Sequence, residues 1–387
     1  MRHPRFALID LRSPALIFLL ALATTSVGSC SPRALVPRPY LAFVANRESN
    51  SVAVVDLAKF RTVATIPVAA RPERVVARPA LVPSSGTGPG SREVYVSSAS
   101  GELSVISFPE LRVAWTLRVG RSARGLVFAP DGRRAFALAA SEGEVVFLDC
   151  GERKIVERVR VAPGLSGLAI TPDGKTLIVA SSTQGRLYFV SIESRKALGW
   201  VEVGKGAGPM AVLPDSSKVF VADTEEEKIS VADVTARRIL SHIEIGSKPS
   251  GLVLKPDGGE LFLLSAAGSM LVIVDAFHDN VSGTMPLGRE PAAAVCRRDS
   301  SALYVANVGD GSVTTIDIQN RAVLASTHAG AEPRALALTP DERFLVVADS
   351  AASSLAVLRT DRLTLLTTIP VGARPVDVVI PDWTSAL

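Results

Sequence analysis

Gly251-Leu-Val-Leu-Lys-Pro-Asp-Gly258, Leu261-Phe-Leu-Leu-Ser265, Met270-Leu-Val-Ile-Val-Asp275 and Ser282-Gly-Thr-Met-Pro-Leu287 follow one another along a single stretch of chain. Each is a short apolar or β-branched run bounded by turn residues, the pattern of strands. Pro256-Asp257-Gly258 supplies a preset φ, an Asx-type turn and a residue tolerant of positive φ, which is the chemistry of a tight connection. The stretch predicts four antiparallel strands, and no helical period interrupts it.

The unit recurs. Asp131, Asp173, Asp215, Asp257, Asp299 and Asp341 stand 42 residues apart each time, and Pro precedes all but Asp299. Gly120, Gly204, Gly246, Gly288, Gly330 and Gly372 keep the same step, with Ala162 filling the one gap. Two independent markers on one period indicate a repeat architecture. Residues 40–79 fit the template once residues 80–92 are treated as an insertion, and Pro83-Ser-Ser-Gly-Thr-Gly-Pro-Gly-Ser91 has the composition of a surface loop.

Phe43-Val-Ala-Asn46, Phe220-Val-Ala-Asp223 and Tyr304-Val-Ala-Asn307 resemble the Tyr-Val-Thr-Asn signature of the YVTN-repeat β-propellers, and the resemblance extends over nearly all of residues 40–382. It implies an all-β ring of four-stranded blades whose innermost strand ends at Pro-Asp-Gly. On that template innermost strands are expected near Arg74, Gly125, Gly167, Pro209, Gly251, Ala293, Ala335 and Asp377, which makes an eight-bladed propeller. The alternative is seven blades plus an irregular unit. Residues 376–381 have no sequence after them to supply outer strands, and the runs at 41–46, 52–57 and 62–68 have no inner strand before them. The two chain ends are therefore expected to complete one blade, which removes the open edges of the array.

The chain has 387 residues, 47% of them hydrophobic, with 29 Gly and 25 Pro, a balance suited to many short strands joined by tight turns. Arg2, Arg5 and Arg12 precede an apolar run from Ala15 to Ala23 and the small residues Val27-Gly28-Ser29. These have the order of an export signal, and the run is shorter than the roughly 20 residues that span a bilayer. Val27-Gly28-Ser29-Cys30 resembles the lipobox of bacterial lipoproteins, which implies cleavage of residues 1–29, acylation of Cys30 and a tether over residues 30–39. An ordinary cleaved signal with an incidental cysteine is the alternative. The expected location is the cell envelope, on its periplasmic or extracellular face, with the outer membrane favoured by Ser31 if the cell is Gram-negative. Loss of Arg2, Arg5, Arg12 and Asp10 takes the formal charge from +4 to +2, so no basic patch points to nucleic acid.

Chemistry is sparsely marked. Cys150 and Cys296 form no Cys-x-x-Cys motif and are expected to be free, buried thiols. His242 and His328 are placed on outermost strands and His278 in a turn, so none reaches the channel. A haem-binding propeller would want an axial ligand there, and Met210 or a partner would have to supply it. Glu225-Glu-Glu227 lacks the alternating pattern of a calcium loop and reads as a solvated acidic turn. No catalytic set, metal set or cofactor motif is assigned. At the first inner-strand position only Arg74 and Asp377 depart from Gly, Ala or Pro, and they belong to neighbouring blades at the ring closure. A structural ion pair is the simpler expectation. The functional one is an anion-binding mouth of Arg74, Arg124, Arg334 and Arg374, because guanidinium groups suit planar carboxylates and phosphates. The expected role is a monomeric binding or scaffolding module for an envelope protein, peptide or glycan. The competing role is an enzyme, since similar propellers include lactonases and quinone-dependent dehydrogenases.

Overall fold

A computed structural model describes residues 40–79 and 92–386. The expected signal and tether and nearly all of the 80–92 insertion lie outside these residues. The described residues form eight four-stranded antiparallel sheets arranged as the blades of a propeller. Blade 1 takes its three outer strands from Leu41–Asn46, Ser51–Asp56 and Arg61–Pro67 and its inner strand from Pro375–Val379. Blades 2 to 8 are continuous in sequence, over residues 72–118, 123–160, 165–202, 207–244, 251–286, 291–328 and 333–370.

Within a blade the two central strands are buried along most or all of their length, whereas the outermost strand alternates, as in Arg61–Pro67 where only Ile66 is fully buried. Blades bury their faces against one another. Phe344, Val346 and Leu355 of blade 8 pack on Ala42, Val44 and Val55 of blade 1, and Phe43 and Val54 of blade 1 pack on Val94 and Val96 of blade 2. A cluster of this kind fills every junction between neighbouring blades. With about 1.5–3 kcal/mol for each fully buried aliphatic side chain, these junctions hold the ring together.

The ring is closed by its chain ends. Phe43 pairs with Val379, Val44 with Val378 and Ala45 with Asp377. Beyond that strand Trp383 packs against Phe108 at 5.3 Å and Phe43 at 6.4 Å, and the Leu41 N–H donates to Thr384 Oγ1 at 3.3 Å. Most inner strands begin two residues before the expected position, because their first residue pairs ahead of a bulge, as between Pro72 and Arg74.

The periodic glycine has a steric reason in four blades. The last residue of the second strand is Asn46, Asp223, Asn307 or Asp349, and its side chain lies against the periodic glycine of the following or preceding loop. A Cβ on Gly204 would sit 2.4 Å from Asp223 Cγ, and one on Gly288 or Gly372 would sit 2.7 Å from Asn307 or Asn46 Cγ. In blade 4 the corresponding partner is the smaller Ser181, and there Ala162 replaces glycine.

Asp223 has a further property. Its Oδ1 accepts the Gly204 N–H at 3.0 Å and its Oδ2 accepts the Ser230 hydroxyl at 2.8 Å, and Ser230 Oγ lies 3.0 Å from His242 Nδ1. Burial pushes this carboxyl up to about 6 against those two hydrogen bonds. A folded value above the unfolded one means that the fold favours the protonated form, so the contribution is fully present below about pH 4 and is lost as pH rises through about 6. Urea unfolding should show stability falling by up to about 3 kcal/mol from this group between pH 4 and 7.5. Asp223→Asn, the amide found in blades 1 and 7, should flatten that slope, and an unchanged slope would remove Asp223 as its source.

Candidate functional site

The loops entering the inner strands and the loops joining second to third strands share one face of the ring, as shown by the Arg47 N–H donating to the Arg374 carbonyl at 2.9 Å. The central channel opens on that face. Its wall carries Gly125, Gly167, Pro209 and Met210 around a cavity of ≈ 390 Å³, with Arg74 at the edge. Six of the eight expected inner-strand starts, Gly125, Gly167, Pro209, Gly251, Ala293 and Ala335, carry small residues that let the strands approach the axis.

Arg74 and Asp377 meet as expected. Arg74 Nε lies 3.4 Å from Asp377 Oδ2, which also accepts the Val75 N–H at 3.0 Å, so one carboxylate joins blade 1 to blade 2. Burial raises the Asp377 carboxyl, and the Arg74 guanidinium and the backbone N–H of Val75 oppose the rise. The Arg74 side chain remains exposed.

The four arginines are spread over four cavities. Arg74 borders the channel, and Arg124 borders a hollow of ≈ 380 Å³ beside Ser122 and Ser166. Arg334 shares a cavity of ≈ 660 Å³, lined also by Ser250, Ala266 and Ala292, with Arg289. Arg374 lies with Arg47, Glu48 and Arg71 around ≈ 470 Å³. Besides the Arg74–Asp377 pair, the other three each face a carboxylate that the sequence did not single out. Arg124 Nε is 3.9 Å from Glu73, Arg374 Nη1 is 3.4 Å from Glu48, and Arg334 is held by Glu332.

A second set of charges is structural. The Arg71, Arg121, Lys205 and Arg289 N–H groups donate to Asn50, Glu142, Glu226 and Asp310 side chains at 2.8, 2.9, 2.9 and 2.6 Å. The last three fall in blades 3, 5 and 7, where each pins the entry loop to the second-to-third-strand loop of the same blade, and the first ties the entry loop of blade 2 to the second-to-third-strand loop of blade 1. The Arg289 guanidinium, 2.7 Å from Asp310, holds that carboxyl below the usual carboxylate range. The recurrence of Glu142, Glu226 and Asp310 at twice the 42-residue step was the available sequence signal.

The remaining expectations can be placed. His242 and His328 lie on outermost strands and His278 in the turn before one, whereas Met210 does line the channel. Glu226 is 2.6 Å from Lys228 Nζ. Among the described residues no three His, Cys, Asp or Glu side chains are grouped to hold a metal ion. Cys150 is a free, buried thiol, but Cys296 is only half-buried because it ends an inner strand near the channel. Burial pushes Cys296 up to about 12, so it stays protonated at neutral pH.

A family profile described as "Lactonase, 7-bladed beta-propeller" matches residues 266–379, from blade 6 to the closing strand. The ring itself has eight blades. Among solved structures the chain is similar to dihydro-haem d1 dehydrogenase NirN in complex with DHE, with 16% identity, a TM-score of 0.74 and coverage of 92% of this chain and 78% of that one. It is similar to hydrazine synthase of Kuenenia stuttgartiensis, with 19% identity, a TM-score of 0.54 and coverage of 65% and 87%. A functionally unknown protein from Desulfotomaculum acetoxidans DSM 771 matches with 13% identity, a TM-score of 0.59 and coverage of 72% and 95%. No curated protein matches. At these identities the likenesses establish the propeller fold.

Proposed function

We propose that this chain is an exported YVTN-type propeller, anchored through acylated Cys30 in the cell envelope, that binds a protein, peptide or glycan on its entry-loop face. The observation that carries this reading is the dispersal of Arg74, Arg124, Arg334 and Arg374 over four shallow cavities, each beside its own carboxylate. Alternating guanidinium and carboxylate groups around a rim suit an extended partner bearing both charges, and rim pairs of this kind tune encounter and register. A small reacting molecule instead needs polar groups that converge on one point.

A second reading, a propeller enzyme such as a lactonase, is favoured by the lactonase profile over residues 266–379. The two separate on one experiment. The acylated protein is captured from detergent-solubilised membranes with its bound material, alongside an Arg124→Glu/Arg334→Glu variant, and the purified protein is assayed for lactone hydrolysis. The binding reading expects a specific co-purifying species that the variant loses. Lactone turnover with no species distinguishing the two would replace it by the enzyme reading.

A further inference from the structure

We propose that the outer rim of blades 7, 8 and 1 faces a lipid bilayer, with aliphatic side chains entering the interfacial region of an anionic leaflet and two arginines meeting its headgroups. The inference rests on the lipid-anchor reading for its setting, and on the rim's own surface for its content.

Exposed large hydrophobic side chains are unevenly distributed among the described residues. Val323, Leu324, Leu365, Leu366 and Val63 lie on the outermost strands of blades 7, 8 and 1, and Phe277 and Val281 extend the band into blade 6. The other two, Leu198 and Trp200, lie on blade 4, where Arg186 covers the Trp200 ring at 3.7 Å. Leu324 is 62% exposed, an arrangement that water alone would not favour for so many neighbours.

The band is continuous because the outermost strands meet end to end. Thr327 Oγ1 donates to the Leu363 carbonyl at 2.6 Å, and Thr62 Oγ1 donates to the Pro370 carbonyl at 2.7 Å. In each strand a bulge leaves Val63, Leu324 or Leu366 as the unpaired extra residue. Such bulges spoil the edge for strand addition, so the surface suits a partner that asks for no backbone pairing. A fluid leaflet is such a partner, and convex aliphatic knobs can enter it without a matching groove.

Charge and chain path point the same way. Arg61 opens the outer strand of blade 1 and Arg362 lies in the turn before that of blade 8, and both are exposed with no ion pair among the described residues. Unpaired guanidiniums flanking aliphatic side chains match phosphate headgroups. The Leu57 N–H donates to the Tyr40 carbonyl at 3.0 Å, so the chain enters the ring two strands from the outer edge of blade 1, roughly 10 Å away. From Cys30 to Tyr40 the chain reaches at most about 35 Å, enough to set the acyl group beside the band.

The test separates rim from anchor. The full chain carrying Cys30→Ala, which removes acylation, is sedimented with phosphatidylcholine vesicles containing phosphatidylglycerol or none. Partitioning to the anionic vesicles is expected, and Leu324→Ser/Leu366→Ser should lower the partition coefficient about ten-fold. Arg61→Ala/Arg362→Ala should lower it at least about five-fold and reduce its salt dependence. No partitioning at millimolar lipid, or partitioning equal in all variants, would overturn the proposal. So would self-association in analytical ultracentrifugation that Leu324→Ser/Leu366→Ser abolishes, since the rim would then be an interface between copies. Failure of acylated wild-type protein to stay in washed membranes would sink the anchor alone.

Discussion

Deletion of residues 375–387 is expected to abolish the cooperative unfolding transition and leave a chain that proteases cut throughout. The deleted strand supplies the innermost ladder of blade 1, and it touches the inner strands of blades 2 and 8. Its loss removes the buried Val378 and Ile380, uncovers Val44 and Phe344, and takes away the Trp383 plug against Phe43 and Phe108. Several buried side chains at about 1.5–3 kcal/mol each match the roughly 5–15 kcal/mol by which a typical domain is stable. Thermal unfolding by circular dichroism with limited proteolysis reads the outcome. A truncated chain that melts within a few degrees of the intact one would mean that blade 1 closes without its inner strand.

Glu93→Ala should cost about 3–5 kcal/mol, the second largest effect expected of a small change. Arg78 and Glu93 are 3% and 5% exposed, and Arg78 Nη1 lies 2.8 Å from Glu93 Oε2. Arg78 Nε also donates to the Gly132 carbonyl at 2.8 Å, which ties the inner strand of blade 2 to the Pro130-Asp131-Gly132 turn of blade 3. Removing the carboxylate leaves a buried guanidinium with one neutral acceptor, and the Tyr95 hydroxyl loses its contact to the same oxygen. Arg78→Met/Glu93→Leu should recover most of the loss, because apolar replacement of both partners removes the desolvation cost with the charges. Equilibrium urea unfolding of Arg78→Met, Glu93→Leu and the double variant gives the coupling directly. Equal losses for Glu93→Ala and the double variant would show that packing, and not the charge, dominates there.

The ring and its closure were legible in the sequence because steric rules repeat with the chain. Most blades carry a small residue where the inner strand nears the axis, an Asp turn after that strand and a periodic glycine in the entry loop, so a 42-residue step carried the fold. The seam was legible for the opposite reason, since Arg74 and Asp377 break a repeated rule at the place where the ends join, and they pair. The mouth was not. Arg124 and Arg374 were visible as charges, but Glu73 and Glu48 become their partners only when loops distant in sequence are folded side by side. Cys296 is likewise only half-buried, as are the four residues before it on the same inner strand.

The closed ring is tested most directly by a cross-link across its seam. Val44 and Val378 stand opposite each other on adjacent antiparallel strands, where Cα atoms lie about 4.5–5.5 Å apart, within the span of a disulfide. In a chain with Cys30, Cys150 and Cys296 replaced by serine, Val44→Cys/Val378→Cys should oxidise to an intramolecular disulfide in the native protein, identified by mass spectrometry of the joined peptides. A folded chain whose two cysteines stay reduced, or join only between molecules, would contradict a ring sealed by its own two ends.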